Sequence, residues 1–252
     1  MVGISSLTVA LLTFVAFFAG LFSAVAGAGG MITLPVLMWA GLPPINAMAT
    51  NKVQSAIGTL SSTINFFRNG HIDFKTLWPG LITALGGAML GVFCFRLLGN
   101  DALKSMLPLL LIAASVYFLF SPKVSDEDSN AKLTTNQFNL WVALGMGFYG
   151  GFFGPGMATF LAMAFIGLLG YNSRKATAHT KPLVLVINGS SAVVFIIAGD
   201  VYWTLAIYMA LAQFVGARIG SNLVISKGSK IIRPALILAS LAIAVKLLVD
   251  NY

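Results

Sequence analysis

Charge is scarce in this sequence, and negative charge is scarcest. Only 9% of the 252 residues are charged, seven residues are Asp or Glu, and no charged residue precedes Lys52. A second uncharged run covers residues 133–173. About 20 consecutive apolar residues suffice for one helix to cross a bilayer, and 58% of this chain is hydrophobic. These values exclude an ordinary soluble domain and predict an integral membrane protein.

Cysteine is almost absent as well. The single Cys94 excludes an intramolecular disulfide and any CxxC metal or redox motif, so we interpret it as a packed thiol. All seven carboxylates fall in loops or at chain ends, and His179 is the one histidine inside an apolar block. The sequence therefore indicates neither a nucleophile–base pair nor a metal cluster, and we predict no cofactor and no enzymatic activity.

The net charge of +8 comes from basic residues that stand singly or in pairs, mostly at the ends of apolar blocks. Nucleic-acid binding would need a recognisable motif or a concentrated basic patch, and the sequence has neither. Basic residues at block ends are typical of the cytoplasmic loops of membrane proteins. We therefore predict membrane lipid, and no nucleic acid, as a partner.

Ten apolar blocks divide evenly around one polar segment. They lie at approximately residues 7–26, 31–42, 45–67, 77–98, 103–120, 138–153, 157–169, 176–198, 203–223 and 234–249. We accordingly divide the chain into an N-terminal membrane repeat (1–121), a polar cytoplasmic linker (122–136) and a C-terminal membrane repeat (137–252). The linker carries three of the seven acids.

The two halves resemble one another in register. Met31 and Thr33 match Met157 and Thr159 at one offset. At a slightly larger offset, matching residues include a lysine, a serine pair and a Gly-x-x-x-Gly; they are Ala47, Ala49, Lys52, Ser61, Ser62, Gly87 and Gly91 against Ala176, Ala178, Lys181, Ser190, Ser191, Gly216 and Gly220. Shared leucines would arise by chance, but these polar matches indicate an internal duplication. We interpret the Gly-x-x-x-Gly pairs as helix-packing faces.

Glycine-rich breaks interrupt both halves inside apolar sequence. The stretch GAGGMITLP begins at Gly27, and GPGMATF begins at Gly154. The block after each break is too short to cross the bilayer, so each pair of blocks is either a re-entrant hairpin or a full span followed by a half-helix. The predicted fold is an all-α integral membrane protein with two inverted repeats of about five helical segments each, and with short discontinuous or re-entrant helices at the breaks.

The distribution of basic residues predicts the topology. If each half makes an odd net number of crossings, most basic loops fall on one side, including those with Arg68, Lys75, Arg174 and Lys227. The positive-inside rule then places this side in the cytoplasm and both termini outside it. The first apolar segment lacks a basic start, so we expect it to be retained in a bacterial inner membrane.

The paired motifs also resemble a known family. The stretches GAGGMITLPVL and NAMATNKVQS, and in the second half GFYGGFFGPGMATF and KATAHTKPL, resemble the sulfite exporter TauE/SafE family of membrane permeases. The stretch QFVGARIGSNLVISKG is most similar to the YfcA-type branch. The resemblance implies a transporter of small sulfur-containing or organic anions such as sulfite or sulfonates.

Two lysines inside apolar blocks are the leading site candidates. Lys52 and Lys181 occupy equivalent repeat positions, and a lysine at membrane depth needs a cavity or a partner. One interpretation is that they attract an anionic substrate; the other is that each ammonium extends to the membrane surface. A helix that starts just after a glycine break presents free N–H groups to an anion, although a close-packed kink would explain the glycines too.

The predicted substrate-binding residues lie at the breaks and beside the lysines. They are Gly29, Gly30, Thr33, Thr50, Asn51, Lys52, Gly154, Gly156, Thr159, His179, Thr180 and Lys181. The polar residues among them either line the path or bond a neighbouring helix. His179 can change charge near neutral pH, so a coupling proton is one open alternative. A coupling sodium ion bound by backbone carbonyls is another. No metal ligand is predicted.

Other functions remain alternatives at this point. A carboxylate or another small anion would suit the same residues as well as sulfite. A membrane enzyme would need a catalytic constellation that the blocks do not offer, and a scaffold would not need duplicated polar breaks. The direction of transport and the oligomeric state are left open.

Overall fold

The computed structural model describes residues 5–119, 127–228 and 230–231, and this part of the chain is helical. Its helices are α1 (Ser6–Ala26), α2 (Gly29–Trp39), α3 (Pro44–Arg68), α4 (Phe74–Leu97), α5 (Gly99–Leu119), α6 (Thr135–Gln137), a π-helical segment (Phe138–Val142), α7 (Ala143–Phe152), α8 (Met157–Leu169), α9 (Ser173–Ile197) and α10 (Trp203–Lys227). Every predicted block within the described residues corresponds to a helix. The last block, 234–249, lies outside them.

The second helical pair is a hairpin whose two ends lie together. The segment α6, the π-helical segment and α7 run to the second break, and α8 returns from it. The N–H of Lys132, just before this helical run, donates to the carbonyl of Leu168 at 2.8 Å. The N–H of Ser129 donates to the carbonyl of Gly170 at 2.7 Å. Of the two arrangements that the sequence allowed, this half therefore adopts the returning hairpin.

The equivalent long helices α3 and α9 run in opposite directions. Asn46, near the start of α3, donates to the carbonyl of Asp200 after the end of α9, at 2.7 Å. The N–H of Asp73, after the end of α3, lies 3.4 Å from Nε2 of His179 near the start of α9. Each helix therefore begins beside the end of its counterpart.

Small residues let helices of one half pack closely on helices of the other. A Cβ on Gly216 or Gly220 of α10 would clash with the carbonyls of Phe17 and Leu21 in α1. The equivalent residues in the other pair are Gly87 and Gly91 of α4, which face the carbonyls of Leu144 and Phe148 at the start and in the middle of α7. The predicted packing role of both Gly-x-x-x-Gly pairs is confirmed, and both helix pairs run parallel.

The loops gather at two ends of the molecule. The Asp200 end contains residues 43–46, 96–101 and 198–203, joined by the Arg96–Asp200 ion pair at 3.1 Å and by the hydrogen bond from the Ile45 N–H to Asn100 at 3.1 Å. The Lys75 end contains residues 68–76, 127–134 and 168–175. This grouping agrees with the division of basic loops expected from the sequence; which end faces the cytoplasm stays a prediction.

Two apolar clusters fill the two ends, and polar residues lie between them. One cluster includes Leu34 of α2 and Met209 of α10, and the other includes Leu161 of α8 and Phe66 of α3. Three described helices, α1, α4 and α9, are long and apolar enough to cross a membrane. The shorter α2, with 11 residues, extends about 16 Å.

We predict that Gly87→Ala lowers the thermal stability of the purified protein. The added methyl group would clash with the carbonyl of Leu144, and overpacking of this kind costs about 1–3 kcal/mol. Gly86→Ala is the matched control, because a Cβ there meets nothing within 4 Å and alanine favours the helix. A melting curve in detergent compares the two, and equal melting temperatures would contradict close packing at Gly87.

Thiol labelling tests the predicted topology. In a Cys94→Ser background, we expect a membrane-impermeant maleimide to label Lys104→Cys on intact cells and Lys75→Cys only after permeabilisation. Both lysines are exposed, so differences in burial do not confound the comparison. Labelling of both variants from the same side would show that these two ends do not lie on opposite faces of the membrane.

Candidate functional site

The two glycine breaks meet in the interior of the molecule. A Cβ on Gly27 would lie 2.5 Å from the backbone nitrogen of Thr159, and a Cβ on Gly30 would lie 3.6 Å from Cα of Pro155. Gly27 and Gly154 both adopt positive φ angles, 78° and 90°, which a side chain would strain. Glycine is therefore required both for the turns and for the close approach of one break to the other.

Each predicted lysine reaches the break of the opposite half. Lys52 is 1% exposed, and its Nζ donates to the carbonyl of Gly150 and lies 3.5 Å from Oδ1 of Asn188. Lys181 is 3% exposed, and its Nζ donates to the carbonyl of Ser23 at 2.9 Å. The ammonium groups are thus held inside the protein, and they do not extend to its surface as the alternative interpretation required.

The two acceptor carbonyls occupy equivalent places. Ser23 precedes Gly27 by one helical turn, and Gly150 precedes Gly154 by one turn. Both carbonyls belong to the last turns of α1 and α7, where the helix dipole is negative. The Ser23 carbonyl also accepts the N–H of Gly27 at 3.1 Å. An ammonium group therefore stabilises the end of each interrupted helix.

Neither buried lysine has a carboxylate partner among the described residues. The ion pairs found there join Arg96 to Asp200, Lys104 to Asp101 and Lys175 to Asp128, all at the two ends of the molecule. Burial of a charge is costly unless hydrogen bonds or an opposite charge offset it. Any positive charge on these two lysines is therefore not balanced by a carboxylate among the described residues.

A small cavity lies between the two breaks. Its volume is about 20 Å³, which holds roughly one water molecule. The lining residues are Ser23, Gly27, Gly30, Asn51, Lys52, Ser55, Gly154, Met157, Ala158, Val184 and Asn188. Four predicted site residues are therefore brought together here, namely Gly30, Asn51, Lys52 and Gly154.

Other predicted residues at the breaks support the cavity from outside it. Thr33 donates to Oδ1 of Asn51 at 2.6 Å, and Thr159 donates to the carbonyl of Ala26. Gly29 packs against Ser23. Gly156 is the left-handed cap before α8, and its carbonyl accepts the Thr159 N–H. The N–H of Met157 likewise donates to the carbonyl of Gly154 at 3.0 Å, so two of the first three N–H groups of α8 are already bonded. The predicted cradle of free N–H groups is therefore smaller than a bare helix start would give.

The remaining predicted residues lie toward the two ends. Thr50 accepts a hydrogen bond from the N–H of Tyr202 at 3.1 Å, toward the Asp200 end. His179 lies toward the Lys75 end, where its Nδ1 is 2.9 Å from the carbonyl of Lys175. Thr180 donates to the carbonyl of Ala176 within its own helix. These three do not line the central cavity. Lys181 does not line it either, but its Nζ bonds to the carbonyl of the lining residue Ser23.

Sequence reasoning missed two polar lining residues. Ser55 lies one turn after Asn51 and shares its helix face, so the spacing could have identified it. Ser23 contributes mainly its backbone carbonyl, for which side-chain chemistry gives no signal. Asn188, on the same helix as Lys181, also lines the cavity, and its Oδ1 lies 3.5 Å from Nζ of Lys52.

A much larger cavity opens at the Lys75 end. It has a volume of about 800 Å³ and is lined by Gly70, His71, Ile72, Asp73, Thr76, Tyr171, Asn172, Arg174, Lys175 and His179. At the Asp200 end, by contrast, the contacts of Asp200 with Asn46 and Arg96 join the loops. Among the described residues, no group of three His, Cys, Asp or Glu side chains could hold a metal ion.

Many apolar helices around a buried polar centre define a multi-pass membrane protein of the transporter class. The sequence comparisons give the family. The profile of the family Sulfite exporter TauE/SafE matches residues 12–247, and the chain belongs to that family of membrane transporters, as the paired motifs indicated.

Curated relatives match over nearly their whole length. "Probable membrane transporter protein ORF9" of Sinorhizobium sp is 41% identical over 93% of this chain and 90% of its own length. "Probable membrane transporter protein YfcA" of Escherichia coli (strain K12) is 40% identical over 99% of this chain and 93% of its own. A "Probable membrane transporter protein" of Haemophilus influenzae is 37% identical over 96% and 95%. No solved structure gave a significant match.

Proposed function

We propose that the protein carries small sulfur-containing or organic anions, such as sulfite or a sulfonate, across the bacterial inner membrane through the central cavity. The observation that carries this proposal is the pair of buried ammonium groups, Lys52 and Lys181, which lack a carboxylate partner among the described residues and lie beside two glycine breaks. A transported anion supplies the missing negative charge. Transport, and not catalysis, is the activity that this arrangement supports.

The lysines keep donor capacity for such an anion. An ammonium group has three N–H donors. In the described structure Lys52 directs two of them toward Gly150 and Asn188, and Lys181 directs one toward Ser23. An anion between the breaks would receive the remaining N–H groups as charge-assisted hydrogen bonds.

The chemistry of the lining residues favours an oxyanion. Sulfite and sulfonate groups have three oxygens, and the amide of Asn51 adds N–H donors beside Lys52. The hydroxyl of Ser55 donates to Oδ1 of Asn51 at 3.4 Å and would have to turn to reach the anion. Gly30 and Gly154 allow close approach of the anion to the backbone. A carboxylate with two oxygens would use the same donors less fully and is the second candidate. His179 lies outside this cavity, so a coupling role for it, or for a sodium ion, stays a prediction.

Inverted repeats would give this site access to both sides of the membrane. The antiparallel arrangement of α3 and α9 and the exchanged packing of α1 on α10 and α4 on α7 support two halves related by a pseudo-two-fold axis in the membrane plane. In inverted-repeat transporters, contacts that close one end of the protein open while the equivalent contacts at the other end form. The site then faces the two sides of the membrane in turn.

The present arrangement corresponds to a state open at the Lys75 end. Asn46 and Asp200 are in contact, whereas the residues at the equivalent repeat positions, Lys175 and His71, line the wide cavity. We propose that the opposite state separates Asn46 from Asp200 and brings Lys175 toward His71. The central cavity, which is now water-sized, would widen during this exchange.

Glutamine variants of the lysines test the binding role. We expect Lys52→Gln and Lys181→Gln each to weaken binding of methanesulfonate or sulfite ten- to a hundredfold, or about 1.5–3 kcal/mol, because one charge-assisted contact is lost. The amide can still donate to the helix-end carbonyl, so the melting temperature should change little. Calorimetric titration of the purified protein gives the affinities.

The exposed Lys75→Gln is the matched control and should bind as the wild type does. Wild-type affinity in both buried-lysine variants, together with a lowered melting temperature, would mean that the lysines only stabilise helix ends. That result would remove the central claim of this proposal.

Cross-linking tests the exchange of the two ends. In the Cys94→Ser background, we expect a short bismaleimide to join Asn46→Cys to Asp200→Cys and to abolish transport in proteoliposomes. The thioether links resist sulfite, and binding from the Lys75 end should persist. A cross-linked Asp101→Cys/Lys104→Cys pair within α5 is the control and should transport normally. Full transport by the cross-linked 46/200 protein would contradict movement at that end.

A further inference from the structure

We propose that the wide cavity at the Lys75 end contains a second anion site, formed by Arg174 and His71, which takes a small sulfonate or similar oxyanion before or after it occupies the central cavity. Binding at this site is a separate property of the protein. Only its place on a transport path rests on the function proposed above.

Arg174 has unused binding capacity. Its Nε is buried and has no hydrogen-bond partner in the structure, and no carboxylate of the described residues forms an ion pair with it. A guanidinium group presents a planar set of N–H donors that suits two oxygens of a sulfonate. The side chain lines a cavity of about 800 Å³, so a small anion there can approach the guanidinium group, and a turn of the side chain would bring Nε to it.

The neighbouring charges are already engaged. Lys175 forms an ion pair with Asp128 at 3.7 Å, and its Nζ lies 4.0 Å from the centre of the Tyr171 ring. The carboxylate of Asp73 accepts the N–H of Lys75 at 3.0 Å and so caps the start of α4. The cation left to bind a ligand is therefore Arg174.

His71 lines the same cavity as Arg174, close enough for the two charges to interact. Burial and the positive charge of Arg174 lower the pKa of His71 below its usual range, so the ring is neutral near pH 7 and still offers one N–H. An anion between the two side chains would raise the pKa of the ring, so affinity should rise as pH falls toward the pKa of the free ring and level off below it. The other ionisable groups lining the cavity are Asp73, Tyr171, Lys175 and His179.

The two sites are structurally separate. The residues that line the wide cavity and those that line the central cavity have no member in common. Helix α9 nonetheless connects the two cavities. His179 lines the wide cavity, and Lys181, two residues later on the same helix, bonds to the carbonyl of Ser23, which lines the central cavity. An anion at Arg174 would thus lie near the start of the helix that carries one of the central lysines.

Calorimetric titration with methanesulfonate, whose charge is constant over the pH range used, separates the two sites. We expect two binding events in the wild type. Arg174→Gln should weaken one of them at least tenfold and leave the other, whereas the Lys52→Gln/Lys181→Gln double variant should show the reverse. Arg174→Lys should restore part of the lost affinity, and melting curves check that each variant is folded.

Lys175→Gln is the matched control. It also removes one positive charge, but from the neighbouring residue, which already interacts with Asp128 and Tyr171. An equal loss in Lys175→Gln and Arg174→Gln would reduce the effect to overall charge and overturn the proposal. One binding event in the wild type, or two unchanged events in folded Arg174→Gln, would overturn it too. The Arg174-dependent event should strengthen from about pH 8 to about pH 6, and His71→Gln should remove that pH dependence.

If the lysine variants bind normally while the Arg174-dependent event persists, the central site fails and the second site stands. If the lysine variants lose one event while Arg174→Gln changes neither, the central site stands and the second site fails.

Discussion

The contact on which the interior depends is a buried ammonium group bonded to the last turn of a helix from the other half. Lys52 and Gly150 form one such contact, and Lys181 and Ser23 form the other. Each contact places an N–H donor of lysine at the negative end of a helix that the glycine break interrupts. The breaks, in turn, can meet only because glycine permits both the turn and the approach.

The surrounding helices bring these contacts together. Glycines on α10 and α4 allow α1 and α7 to approach closely, so the ends of the interrupted helices lie near the opposite lysines. A larger residue at one packing position would separate a break from the lysine that stabilises it. Stability and the proposed binding are therefore linked, and a loss of transport in a packing variant must be compared with its melting temperature.

Much of the fold is predictable because hydrophobic runs and breaks are local properties of the sequence. Hydropathy alone marks α1, α3 and α9 to within a few residues, and the short block after each glycine break corresponds to a short helix. The repeat register correctly paired Lys52 with Lys181 and assigned the Gly-x-x-x-Gly motifs to packing.

The parts that could not be predicted depend on contacts between distant segments. The partners of the lysines are backbone carbonyls, which every residue possesses, so no side chain at Ser23 or Gly150 marks them. The wide cavity is formed between residues 70–76 and residues 171–175. Its presence depends on the relative position of the two segments, which the sequence of either segment alone does not determine. Thr50 and His179 each precede a lysine by two residues, yet they lie toward opposite ends because α3 and α9 run in opposite directions.

The most direct measurement is nitrogen NMR of protein labelled at the lysine ammonium groups, titrated with methanesulfonate. The signals of Lys52 and Lys181 are assigned by their disappearance in the glutamine variants. Both should shift as the anion binds, with the same affinity that calorimetry gives for the central site. Saturated binding with both signals unmoved, while signals of exposed lysines shift, would contradict the claim that the two buried ammonium groups hold the anion.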